Sequence, residues 1–229
     1  RERKLALAVS TVGGKLLGLA KADRVPYVQL PDTHIQPRMA LGYGFLSLLT
    51  LIGETEGIAE AAKAAMLNAH DFEEQGKALA ERLHGSVPVI YASNRNQSIA
   101  YNWKIKLNET GKIPAFCNVL PELNHNEMTG FDSQPSTKQL SDKLRFLFLR
   151  DADDHPRVQR RMDITIKLYE ERGLRAEELL MTGTGFTKIV SCLLVADWCA
   201  YYSAERYGVE AEQVPMVEQF KKLIEKAGQ

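Results

Sequence analysis

The chain has 229 residues, 45% of them hydrophobic and 25% charged, with 29 lysines plus arginines against 29 aspartates plus glutamates. That apolar share can fill the core of one large or two small domains, which excludes a disordered chain. A formal net charge of zero argues against nucleic acid or a membrane surface as partner, since both need a net basic face, but leaves room for a local basic pocket around a small anion. No apolar run approaches the roughly 18 residues of a membrane helix. The charged start Arg1 to Lys4 and the short run Leu5 to Val9 do not make a signal peptide.

Leu5 to Val9 reads as a buried strand that enters a helix through the glycine turn of Ser10-Thr-Val-Gly-Gly-Lys15. A buried parallel strand needs neighbours on both sides, so it is a poor place to begin a fold, and the expectation is that N-terminal sequence is missing. Val25 to Leu30 is a second short strand, and Ile35-Gln-Pro-Arg38 is a loop because the residue before proline avoids helical angles. Met39 to Leu51 is a helix that is apolar nearly all round and is expected to be buried. Alanine-rich Glu54 to Leu83 has helical period and forms one long helix or two. There follow a strand at Val87 to Ala92, a helix at Gln97 to Asn108, a strand at Ala115 to Leu120 and a strong strand at Lys143 to Leu149. Pro156 to Arg172 is an amphipathic helix with proline in its first turn and Gly173 beyond its end. Ala176 to Met181 fits strand or helix, Thr187 to Tyr207 is a long helix ended by Gly208, and Pro215 to Lys226 is a final helix.

Strands alternating with helices indicate an α/β sandwich with a mainly parallel sheet, in which ligands bind beyond the carboxyl ends of the strands. Three polar loops leave strands: Ser93 to Ser98, Glu122 to Glu127 and Arg150 to His155. Cys117, Cys192 and Cys199 are odd in number and lack metal-ligand spacing, which reads as buried free thiols in a reducing compartment.

Tyr101 to Glu127 carries the densest set of catalytic residue types. Lys106 and Glu109 are three apart near a helix end and share a face. His125 follows the next strand in Glu122-Leu-Asn-His. A carboxylate and an imidazole brought together make an acid/base pair; a surface Lys–Glu pair with a loop histidine bonded to backbone is the other reading. Arg38, after a proline, can steady an anionic intermediate or a phosphate, or it can be an ordinary exposed arginine. Ser10 and Thr11 can offer hydroxyls and N–H groups to an anion at a helix N-terminus, or form a plain strand–helix turn. His34, His70 and His84 read as solvated and His155 as structural.

These residues come in an ordered series: Ser10-Thr-Val-Gly-Gly-Lys-Leu16, Gln36-Pro-Arg-Met-Ala-Leu-Gly-Tyr43, Ala100-Tyr-Asn-Trp-Lys104, Lys106-Leu-Asn-Glu109 and Pro121-Glu-Leu-Asn-His-Asn-Glu127, then Phe148-Leu-Arg-Asp151 with His155-Pro-Arg157, and Val214-Pro-Met-Val-Glu218. The series resembles the bifunctional phosphoglucose/phosphomannose isomerases of the sugar-isomerase (SIS) domain superfamily, over nearly the whole chain and most strongly from Trp103 to Glu127.

The resemblance implies a three-layer, flavodoxin-like SIS fold. Residues 1–53 would be the C-terminal part of a first, incomplete SIS subdomain, residues 54–208 a complete second one, and residues 209–229 a C-terminal helix that contributes to the active site. The family's Ser/Thr-rich phosphate loop is not found here. By the same resemblance Glu109 is the catalytic base, and His125 assists ring opening, in relatives often from the neighbouring subunit. Arg38 stabilises the enediolate and Lys221 helps to open the ring, with Lys222 its alternative by one residue. Val214 stands near the sugar where relatives often have threonine, and Ser93-Asn-Arg-Asn96 replaces a more glycine-rich turn. The implied protein is a cytoplasmic homodimer that interconverts glucose 6-phosphate, and mannose 6-phosphate, with fructose 6-phosphate, without metal or cofactor. The competing readings are a sugar-phosphate-binding SIS module without catalysis, and an isomerase of another sugar phosphate.

Overall fold

The computed structural model describes residues 5–132 and 134–227. The charged start Arg1 to Lys4 lies outside them, as do Ser133 and the last two residues. The chain forms two compact units, Arg1–Leu67 with Gly185–Thr187, and Asn68–Thr184 with Lys188–Gln229. Among the described residues no helix is long and apolar enough to cross a membrane.

The first unit is small. Strand β1 (Val9–Thr11) pairs in parallel with β2 (Tyr27–Gln29), and helix α1 (Gly14–Ala22) connects them. Helices α2 (Leu41–Ile52) and α3 (Thr55–Ala64) follow. Two sequence expectations change here. The apolar run from Leu5 precedes the strand rather than forming it, and Leu5 and Leu7 are exposed. Helix α2 is not buried: of its residues only Ser47 and Leu49 are covered, while Leu48 and Ile52 are exposed. A two-stranded sheet and two further helices are too few to cover an all-apolar helix. The contact boundary between the units falls after Leu67, where the sequence reading put the change after residue 53. Helix α3 stays with α2, and Gly57 lets it approach closely: a β-carbon there would come within 3.1 Å of Leu49.

The second unit holds a four-stranded parallel sheet in the order β4-β3-β5-β6, made of β3 (Val87–Ser93), β4 (Phe116–Leu120), β5 (Leu144–Asp151) and β6 (Arg175–Met181). Side chains alternate between its faces. Ile90, Ala92, Leu147 and Leu149 face a core shared with α4 (Glu73–Leu83), α5 (Gln97–Glu109) and α8 (Gly185–Arg206). Val89, Tyr91, Phe146 and Phe148 face a second core with α6 (Leu123–Asn126) and α7 (Pro156–Glu171). This is the expected α/β three-layer sandwich, with every strand pair in parallel register. Ala176–Met181 settles as strand because β5 supplies its ladder. Close contact of α4 with α8 requires Gly76, since a β-carbon there would lie 2.4 Å from the Trp198 β-carbon. His155 caps α7 by accepting from the Arg157 amide at 3.1 Å, the structural role expected of it. Helix α9 (Pro215–Ala227) ends the described chain.

Candidate functional site

Helix α5 is anchored along its inner face. Trp103 is fully buried, and its indole N–H donates to the Cys192 sulfur at 3.3 Å. One turn on, Lys106 is 3% exposed and pairs with Asp197 of α8 at 2.5 Å. Lys106 is therefore no surface lysine. These ties fix the last turn of the helix, whose final residue is the half-buried Glu109.

The chain then turns through Lys112, which holds a left-handed φ of 55°. Its ammonium donates to the carbonyl oxygens of Glu109 at 2.5 Å, Ala211 at 3.1 Å and Gln213 at 2.5 Å. The end of α5 is thus stitched to the segment that runs from α8 into α9. Within that segment the Glu210 carboxylate accepts from the amides of Glu212 and Gln213, both at 2.6 Å. Val214 follows, half-buried, and its carbonyl accepts from Glu218 at 3.1 Å at the start of α9.

Met216, Val217, Phe220, Leu223 and Ile224 form one exposed apolar stripe on α9. Each residue advances the helix by about 100°, which sets Lys221 beside that stripe and Lys222 on the opposite face. The two lysines that the sequence could not separate therefore have different surroundings. Lys221 also pairs with Glu218 at 2.8 Å on the exposed surface.

His125 lies elsewhere. Strand β4 pairs in parallel with β3, so the intervening α5 runs back along the sheet and ends where β4 begins. His125 comes after the other end of β4. Five strand residues separate the two levels, about 16 Å. Within one chain Glu109 and His125 therefore stand at opposite ends of β4 and do not converge. The histidine sits on α6, where the sequence reading had a loop, because a four-residue helix is too short to show periodicity. Its neighbours are held firmly. Leu123 is fully buried, Asn124 donates to the Thr165 hydroxyl at 2.7 Å, and the Glu127 carboxylate accepts from Tyr91 and Asn118. Burial pushes the Tyr91 hydroxyl far above its ordinary pKa, with Tyr169 and Glu127 adding to the shift. The His125 side chain itself is exposed.

Arg38 belongs to the first unit, in a single 3₁₀ turn, Pro37–Met39, that Pro37 opens. Ser10 and Thr11 lie in β1. The Thr11 hydroxyl is engaged locally: it donates to the Gly13 carbonyl at 3.1 Å and accepts from the Gly13 amide at 3.3 Å. Among the described residues no side chain at the N-cap position bonds the start of helix α1.

Sequence reasoning missed a buried polar cluster at the carboxyl ends of β3 and β5. There the strand order reverses, which is where this kind of sheet opens its crevice. Lys188 of α8 donates to Asp151 at 2.6 Å and to Asp153 at 2.5 Å. Asn96 donates to Asp151 at 3.1 Å and Ser93 to Asp154 at 2.7 Å. Burial alone would raise the Asp151 pKa, but Lys188, the Asp153 amide and Asn96 together hold it below the ordinary value. Burial raises the Asp154 carboxyl, against the Ser93 hydrogen bond. Bonds to Asp151 and Asp153 raise Lys188. The crevice of this unit is filled by its own charges. The signal in the sequence was a single lysine inside an apolar helix, facing the acidic loop Asp151-Ala-Asp-Asp154.

Residues 72–224 match the family described as "Bacterial phospho-glucose isomerase C-terminal SIS domain". The bifunctional phosphoglucose/phosphomannose isomerase of Aquifex aeolicus is 33% identical over 94% of this chain and 67% of its own length. The protein of the same name from Caldicellulosiruptor bescii is 31% identical over 93% of this chain and 67% of its own length. The crystal structure of a glucose-6-phosphate isomerase like protein from Thermus thermophilus covers 90% of this chain and 76% of its own, with a TM-score of 0.62 at 16% identity, which speaks for the fold alone. The chain belongs to the bifunctional phosphoglucose/phosphomannose isomerase family of SIS-domain proteins.

Proposed function

We propose that this protein interconverts glucose 6-phosphate, and mannose 6-phosphate, with fructose 6-phosphate through a cis-enediol. One observation carries the reading: Glu109 ends α5 at the place where Lys112 ties that helix to the segment bearing Val214 and leading to Lys221. A base, a residue beside the sugar and a ring-opening amine thus sit on connected elements of one unit.

Ring opening delivers a proton to the ring oxygen and removes one from the anomeric hydroxyl, the work of His125 and Lys221. Glu109 then takes the C2 proton. The C2–H electron pair becomes the C1–C2 double bond, and the aldehyde oxygen is protonated. Glu109 returns its proton to C1 while the C2 hydroxyl loses one, leaving the ketose carbonyl. Hydrogen moves as a proton between adjacent carbons, so one carboxylate serves both, and the step needs no external oxidant. Arg38 has the charge to stabilise the enediolate. By resemblance Val214 lies near the sugar and Lys222 is the alternative to Lys221; Ser10 and Thr11 are assigned to substrate binding as hydroxyls that can meet an anion before a helix.

Because Glu109 and His125 stand at opposite ends of β4 in one chain, we assign the histidine of each site to a second copy, and the assembly to a homodimer; by resemblance it works in the cytoplasm. Glu109→Gln tests the base. Isomerisation is expected to fall by about 10²–10⁴-fold with sugar-phosphate binding kept, measured by coupled assay and calorimetry. Normal turnover by that variant overturns the assignment.

A further inference from the structure

We propose that Lys112 is the positioning residue of the isomerase site, holding the Glu109 base in register with the segment that carries Val214. The proposal rests on the reading of Glu109 as the base. Two observations support it independently. An ammonium has three N–H donors, and Lys112 directs them to three backbone carbonyls from two stretches about a hundred residues apart in sequence, Glu109 on one side and Ala211 and Gln213 on the other. The same residue sits at a φ of 55°, in the left-handed region where glycine is at ease and a side chain is not. The three bonds that its ammonium makes offset the backbone cost of that φ.

The geometry gives that side chain a specific task. Glu109 is the last residue of α5, so its carbonyl has no helical partner ahead of it. Lys112 takes up that carbonyl and clamps it to the residue just before Val214. The two groups that must face the same part of the sugar, the base at C2 and the residue that packs near it, are set against each other by one amine. Glucose and mannose phosphates differ only at C2, so a change in this register alters the discrimination between them as well as the rate.

The test uses Lys112→Gly, which suits the positive φ and so keeps the backbone while removing the amine, and Lys112→Arg, which keeps charge and donors. We expect Lys112→Gly to lower kcat by about 10–100-fold, the loss that a displacement of about 1 Å can cause. KM should change far less than kcat, the ratio of glucose to mannose turnover should move, and Lys112→Arg should recover much of the rate. A merely structural lysine would lower the melting temperature and leave the kcat of the folded protein, and the substrate ratio, unchanged; that result overturns the proposal. Glu109→Gln, assayed alongside, separates the two claims. An active Glu109→Gln enzyme overturns both, whereas an inactive one beside an unaffected Lys112→Gly enzyme overturns only the role of Lys112.

Discussion

The two ends of the strands in the four-stranded sheet use lysine in different ways. At the carboxyl end, Lys188 is buried between Asp151 and Asp153 and fills the crevice that the strand order creates. At the amino end, Lys112 donates to three backbone carbonyls, one of them from Glu109, and so ties the end of α5 to the segment before α9. The first arrangement spends its charges on one another, which makes it a structural plug. The second organises backbone around a carboxylate. The position of the crevice alone does not locate the chemistry of such a sheet.

That contrast can be broken by substitution. Lys188→Met leaves Asp151 buried without its cation and is expected to cost about 3–5 kcal/mol, read by denaturant melts, while kcat of the folded protein stays near wild type. A large fall in kcat with no loss of stability would make the plug a working site. Lys106→Met removes a charge-assisted bond to the partly exposed Asp197, at a cost of about 1.5–3 kcal/mol. It should also lower kcat, because Glu109 is one turn away on the same helix. Equal effects of Lys106→Met and Lys188→Met on kcat would erase the distinction between the ends. His155→Ala removes the cap of α7 and should cost about 1 kcal/mol with no change in kcat.

The pH dependence follows from the same cluster. Lys188 titrates above the ordinary lysine value, so its contribution is whole below about pH 10.4 and is lost as pH rises through the raised value. Asp151 titrates below the ordinary aspartate value, so its contribution is whole above about pH 3.9 and is lost as pH falls further. Asp154, raised by burial, works against Asp151 on the acid side. The alkaline arm of the melting curve should therefore shrink in Lys188→Met without vanishing, because Tyr91, Cys192 and Cys199, all raised by burial, also lose stability as pH climbs; an unchanged arm would count against the cluster as a contributor.

Much of this was legible in the sequence. Periodicity and punctuation by proline and glycine located α5, α7, α8, α9 and β5 to within a residue or two, because their signals are local. Two of the three expected buried thiols were legible as well: Cys192 and Cys199 lie two turns apart on the inner face of α8, and burial pushes both up to about 12, whereas Cys117 is only half-buried. What failed were inferences about covering. An all-apolar helix reads as buried, yet α2 shows most of its surface, since apolarity cannot say what neighbours exist. The pairing of Lys188 with Asp151 and the stitching by Lys112 both join residues far apart in sequence, and no period records such bonds. Glu109 and His125 are close along the chain, yet the single strand between them puts them at opposite ends of β4, a separation that no local pattern records.

The central claim is that each site takes Glu109 from one copy and His125 from another. Mixing the two defective proteins tests it most directly. Glu109→Gln and His125→Ala are each expected to be inactive alone. Unfolded together and refolded, they should regain about one quarter of wild-type activity, since random pairing makes half the dimers mixed and each mixed dimer holds one intact site. A mixture as inactive as its two parents, with mixed dimers shown to have formed, would contradict the account.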